Sequence, residues 1–156
     1  MATDTDRMIP AQSVSEALSH LLGNGCRLLR ISRMCAWNVR GEGAERAASL
    51  FAFQAGELWE GQDKLAKRIR ALGSIVSPDD GDDVVVEQPS QIDFLRCTPR
   101  ELCAILLEGH RNAMLSFGAA EDVALSVLDH VSVRVVRDRA ARHARHIADL
   151  ETLRAA

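Results

Sequence analysis

Residues 35–54 read CAWNVRGEGAERAASLFAFQ, and the fold turns on how this stretch is read. Trp37 stands beside Asn38, Gly41 and Gly43 follow closely, and then come several alanines. Glycine reaches backbone conformations closed to other residues. A helical pattern lies on either side of the glycines, so the stretch reads as the corner between two helices.

Upstream of the corner, Val14, Leu18, Leu21, Leu22 and Leu29 keep helical spacing toward Trp37. They predict a first helix over about residues 12–40, with a soft point at Gly23-Asn24-Gly25. Downstream, Leu58, Leu65, Ile69 and Leu72 fall at i, i+7, i+11 and i+14. Lys64, Lys67, Arg68 and Arg70 gather where the negative end of the helix dipole favours cations, and Gly73 stops the run. The second helix is therefore expected over about 44–72.

Residues 74–97 carry two prolines and five aspartates, and read as a long connection with room for one short helix. Thr98-Pro99-Arg100-Glu101 then starts a helix. Thr98 can cap, Pro99 suits the first helical position, and Glu101 can reach back to close a capping box. Leu102, Ile105, Leu106, Ala113 and Phe117 form one side of this third helix, expected over 98–124. The segment HVSVRVV (130–136) alternates like a strand. Val136, Ala140, His143, Ile147 and Leu150 nevertheless continue at helical spacing and Asp129 can cap, so a fourth helix is expected over 129–154. The reading is all-α: one four-helix-bundle domain over 1–156 with a long crossover between the second and third helices.

Composition agrees with a globular chain: 156 residues, 47% hydrophobic, 26% charged, net charge −3. No run of eighteen apolar residues exists, and MATDTDR is acidic where a secretion signal would be basic and then apolar, so a cytoplasmic location is expected. Cys26, Cys35, Cys97 and Cys103 contain no C-x-x-C pair and are expected to be reduced, mostly buried thiols.

With the helices placed, a likeness becomes visible. WNVRG at the corner, F-x-x-Q-x-x-E-L at 51–58 and D-x-L-A-x-R-I-R-A-L-G at 63–73 resemble the Dps family, small ferritin relatives. TPRELCAILLEGHR (98–111) and RDRAARHARHIADLETLR (137–154) extend the likeness, which covers about 36–154. The resemblance implies a cage of twelve copies built from dimers. It also implies an iron-oxidation site at each two-fold interface, formed by two histidines and an aspartate from one subunit and an aspartate and a glutamate from its neighbour. On this chain those positions hold Ala36, Ala48, Ala52, Asp63 and Lys67. Iron needs converging oxygen or imidazole donors, which alanine lacks. Asp63 is thus the one residual metal position, and it can pair with Lys67 at i, i+4. No cofactor is expected beyond iron as cargo, and no ferroxidase activity of the chain's own.

Other residues of the chain also carry donor atoms. Glu57, Glu60 and Asp63 share a spacing with Glu45 a few turns earlier, and read as a solvated acidic face. Cys35 reads as a core thiol, His143 and His146 as core or surface histidines without a carboxylate at i, i+3 in the arrangement of di-iron proteins, and His20 and His110 as isolated structural histidines. Arg134, Arg137, Arg139, Arg142 and Arg145 read as an ion-pair face on the last helix, with binding of an anionic partner as the alternative. Neither MATDTDR nor LRAA is the basic tail that would bind DNA. By the resemblance, Glu121, Asp122 and Asp129 fall where acids line the three-fold pores, with Arg134 standing where a further acid is often found.

The functional expectation is a Dps-like subunit of the iron-storage and stress-protection class, alone or co-assembled with an active paralogue. The alternatives are an iron-independent structural or interaction cage or dimer, and an enzyme with a new site in the old pocket.

Overall fold

The computed structural model describes residues 5–77 and 91–156, with side chains from Val14 onward. Four helices follow in order: α1 Thr5–Asn38, α2 Ala44–Ala71, α3 Pro99–Ser126 and α4 His130–Ala155. α1 begins earlier than its apolar spacing suggests, and the other bounds fall within two residues of expectation. HVSVRVV is helical: Asp129 accepts the Ser132 amide at 3.0 Å, and the apolar stripe of α4 supplies the burial. The expected short crossover helix and the acidic run at 79–83 lie outside the described residues, next to one hydrogen-bonded turn from Asp93 to Cys97.

Each junction has a local cause. Gly41 and Gly43 take φ of 96° and 75° at the corner, a region that costs other residues about 1–2 kcal/mol, and Gly73 at 90° ends α2. The Thr98 hydroxyl accepts the Glu101 amide at 3.2 Å while the Glu101 carboxylate accepts the Thr98 amide at 2.7 Å, so the capping box is complete. Arg68, in the last turn of α2, closes on Asp129 at 2.8 Å and ties that end to the start of α4.

α1 packs on α2 and α3, α3 on α4, and α2 on α4. The apolar interior divides in two. One cluster gathers Leu28, Ile31, Phe51, Leu58, Leu102, Leu106 and Leu150 near the corner. The other gathers Leu18, Leu21, Leu65, Ile69, Phe117 and Val136 toward the opposite end. The levels between them, at Asn24 and Gly25, Glu57 to Gln62, His110, and Arg139 to His146, are polar.

That band removes the expected soft point. α1 runs unbroken through Gly23-Asn24-Gly25, because the absence of a side chain there serves packing. A Cβ on Gly25 would lie 1.9 Å from the Gln62 amide, and one on Gly61 would lie 2.1 Å from the Arg139 guanidinium. Asn24 meanwhile donates to the Ser116 hydroxyl at 3.3 Å. Two glycines, one on α1 and one on α2, thus make room for two long polar side chains inside the bundle.

Candidate functional site

Two surfaces compete for the role of a site. The first is the outer face of α1 and α2. Ala48, Ala52, Trp59, Asp63 and Lys67 recur along α2 at steps of four and seven residues that keep one side of a helix. Ala36 of α1 packs against the cluster holding Ala47 and Phe51, which sets it near the level of Ala48. Ala36 and Ala48 are half-buried, while Ala52, Asp63 and Lys67 are exposed. Asp63 and Lys67 make the expected i, i+4 pair at 2.6 Å. Eleven residues separate Ala52 from Asp63, about 16 Å along a helix. Within one chain the four α2 positions Ala48, Ala52, Asp63 and Lys67 therefore share a face without meeting at a point. A cavity of about 440 Å³ lies on this face between Cys26, Trp59, Gln62 and Asp63.

The second is the polar band, and the sequence reading missed it. His110 from α3 and His143 and His146 from α4 are all buried, with ring centroids 4.9 to 6.2 Å apart and Phe117 4.9 Å from His143. The two Nδ1 atoms of His110 and His143 stand 3.0 Å apart, so one nitrogen donates to the other. Glu57 of α2 reaches in from the side. Its carboxylate accepts Arg142 at 2.5 Å and lies 3.2 Å from His146 Nε2, close but not aligned as a hydrogen bond. Arg139, also buried, donates to the Glu57 carbonyl at 3.2 Å, and Gln54 donates to the His146 carbonyl at 3.1 Å.

This band has a definite charge. Burial, then repulsion from Arg139 and His146, pushes the His143 imidazole down to about 3. Burial and its two neighbours hold His110 well below the ordinary 6.5. Burial also lowers His146, though Glu57 and Asp149 oppose the shift. The imidazoles are therefore neutral, and the fixed charges are one carboxylate and two guanidinium groups.

Two expectations from the sequence change in the structure, at His110 and Glu57. His110 is not isolated, and the carboxylate beside His146 is Glu57 of another helix, which is not the di-iron Glu-x-x-His arrangement. Glu57 leaves the solvated acidic row: Glu60 and Asp63 are exposed, but the Glu57 side chain is only 16% exposed and engaged by α4. The buried stripe of α4 runs Val136, Arg139, His143, His146 and Leu150, so Ala140 and Ile147 border it. The available signal was His143-x-x-His146 with Arg139 four residues before, at core spacing.

Comparison with known proteins decides the family. The model of the ferritin-like domain matches residues 15–155. The chain belongs to the ferritin-like family. A search of curated proteins finds no match. Among solved structures, a Dps homologue from Halobacterium salinarum is 20% identical over 97% of this chain and 86% of its own, with a TM-score of 0.84. A Dps protein from Bacillus brevis is 18% identical over 97% and 98%, with a TM-score of 0.83. A dodecameric thioferritin from Bacteroides fragilis is 17% identical over 92% and 84%, with a TM-score of 0.75. The fold is the Dps-type ferritin-like bundle.

Di-iron members of such bundles hold metal in the interior with a glutamate from each of two helices and Glu-x-x-His from each of the other two. This ferritin-like chain presents Glu57 alone, already bound to Arg142, with Arg139 alongside. Among the described residues no group of three or more His, Cys, Asp or Glu side chains is arranged to hold a metal ion. The remaining candidates are held structurally. Asp129 caps α4 and binds Arg68, Glu121 binds Arg137 at 2.6 Å, and Asp122 is exposed. Arg137 and Arg142 belong to the expected ion-pair face, whereas Arg139 turns inward and Arg134 and Arg145 stay exposed. Cys35 and Cys103 are buried, with thiols pushed up to about 12 and about 11 chiefly by burial. Contrary to expectation, Cys97 is half-buried and Cys26 exposed. His20 is exposed.

Proposed function

We propose that this chain is a Dps-type cage subunit of the iron-storage and stress-protection class that does not oxidise iron at its own subunit interface. The observation that carries this is the outer face of α1 and α2. Ala36, Ala48 and Ala52 offer methyl groups where donors are needed, and the ammonium of Lys67 holds the one carboxylate, Asp63. A divalent cation approaching Asp63 would meet that positive charge first.

The same face supports assembly. Trp37, Phe53, Trp59 and Ile75 are 58–79% exposed on or beside α1 and α2, and Leu128 and Val131 are exposed at the α3–α4 corner. Large apolar side chains gathered in this way mark surfaces that associate. The relative from Bacteroides fragilis is dodecameric, and twelve copies built from dimers is the assembly we propose. No helix among the described residues is long and apolar enough to cross a membrane, and we place the cage in the cytoplasm. In it Asp122 is the acid best able to guide cations, since Asp129 and Glu121 are engaged by arginines. Oxidation would then fall to an active paralogue in the same shell.

One observation favours a second reading, an iron-independent structural cage or dimer: the interior also carries arginines where a cation would need carboxylates. Size-exclusion chromatography with light scattering, followed by Fe(II) addition, separates the two. A particle of about twelve times 17.1 kDa is expected. It should oxidise iron no faster than buffer alone, and load iron once mixed and reassembled with an active Dps subunit. Rapid stoichiometric oxidation by the homo-oligomer would overturn the proposal. Failure to load in the mixed shell would favour the second reading.

A further inference from the structure

Where the corner meets the start of α3 and the end of α4, a cavity of about 760 Å³ opens at one end of the bundle. Five arginines line it: Arg40 and Arg46 from the corner, Arg96 and Arg100 from the approach to α3, and Arg154 from α4. Glu42 is the one acidic side chain in the lining. Arg96 has a carboxylate, Asp93 at 3.6 Å. Arg40, Arg46, Arg100 and Arg154 have no ion-pair or hydrogen-bond partner among the described residues. Elsewhere the basic side chains commonly find one, as Lys64 does with Asp138, Arg68 with Asp129, Arg111 with Glu151, and Arg137 with Glu121. Three separate segments thus converge their free guanidinium groups on one concave space. The amino end of α2, which no side chain caps, opens at the same corner.

We infer that this cavity binds a short phosphate chain, a di- or triphosphate, through Arg40, Arg46, Arg100 and Arg154. Four free guanidinium charges against Glu42 leave an excess matched by a compact anion of three or four charges. A single carboxylate ligand would leave most of that excess unbalanced. The planar fork of arginine pairs two N–H groups with two oxygens of one phosphoryl group, and a chain of phosphoryl groups repeats that unit across several arginines. No aromatic ring lines the cavity, so nothing there stacks a base. Recognition rests on the phosphates, whether they come free or attached to a nucleoside. The inference is independent of the iron reading, since none of these arginines belongs to either surface described above.

The test is calorimetric titration of inorganic tripolyphosphate into the full-length oligomer at low ionic strength, repeated with adenosine triphosphate without magnesium and with a short duplex DNA. One saturable site per chain is expected, weakening severalfold as salt is raised to about 0.15 M because the groups are exposed. Adenosine triphosphate should bind within about threefold of tripolyphosphate. The double variant Arg46→Gln/Arg100→Gln should lose about tenfold or more in affinity, as expected when charge-assisted hydrogen bonds are removed. Its elution volume and thermal melt should be unchanged. Arg134→Gln, at the other end of the bundle, should bind as the parent does. No saturable tripolyphosphate binding, binding retained in the double variant, or binding confined to the duplex DNA would each overturn the inference.

Discussion

Among the described residues neither the outer face of α1 and α2 nor the polar band inside the bundle gathers three side chains that could hold a metal ion, and the two differ in how that comes about. The outer face is nearly bare: three alanines, and an ion pair whose side chains are more than 60% exposed. The band is full, with one carboxylate, two guanidinium groups and three neutral imidazoles packed between apolar clusters. Removing donors from a surface costs the fold almost nothing, because water solvates what remains. Filling an interior with charge obliges the fold to pair it, as Glu57 is paired with Arg142, which couples the band to stability. The outer face should therefore respond to mutation in its chemistry, and the band in its folding.

The largest effect is expected from restoring donors to the outer face. Ala36→His, Ala48→His, Ala52→Asp and Lys67→Glu together should raise Fe(II) oxidation by the assembled protein. The gain should be on the order of a hundredfold, because a positioned metal site supplies several kcal/mol of transition-state stabilisation. Absorbance at the ferric band against time reads the gain. An unchanged rate in an intact oligomer would mean that these positions do not meet across an interface.

Next comes Glu57→Leu, which leaves Arg142 without its carboxylate while Arg139 keeps the main-chain carbonyl of residue 57. Breaking a buried pair by removing one partner costs 3–5 kcal/mol, and the lower end applies because the Arg142 side chain is still 33% exposed. Urea unfolding should show a loss of about 3 kcal/mol. A loss below 1 kcal/mol would make the band a solvated surface.

The histidines should make the band sensitive to acid. Their folded pKa values lie below the ordinary 6.5, so the unfolded chain takes up protons first as pH falls. Stability is full above about 6.5 and declines toward about 3, where His143 charges in the folded state. By pH 4 His143 alone should have withdrawn on the order of 3 kcal/mol. His143→Leu should flatten the acid limb of the stability curve, whatever its effect at neutral pH.

The smallest effect should come from the outer pair. Asp63→Ala and Lys67→Ala, singly or together, are expected to change unfolding free energy by less than about 0.5 kcal/mol. A double-mutant cycle that found coupling above 1 kcal/mol would show that the pair is sheltered in the assembled protein.

The corner, four helices and their caps could be read from the chain because each depends on groups within a turn or two of one another. Thr98 with Glu101, and Gly41 with Gly43, act across two to three residues. The bare outer face could be read as well, since an alanine lacks donors wherever it is placed. The band could not. His110 and His143 are 33 residues apart, and Glu57 and Arg142 are 85. Their meeting depends on how far α2, α3 and α4 rotate about their axes. One residue of phase is about 100° of rotation, enough to exchange Arg139 for Ala140 at the centre of the stripe.

What the residues determined unaided is therefore the bundle, its corner and the short-range pairing of Asp63 with Lys67, because periodicity, capping and i, i+4 contact are local properties. Packing alone decided that Glu57 turns inward, that three neutral imidazoles pack together, and that Gly25 and Gly61 stand aside for Gln62 and Arg139. Those outcomes follow from close approach between helices, which no spacing along a single helix records.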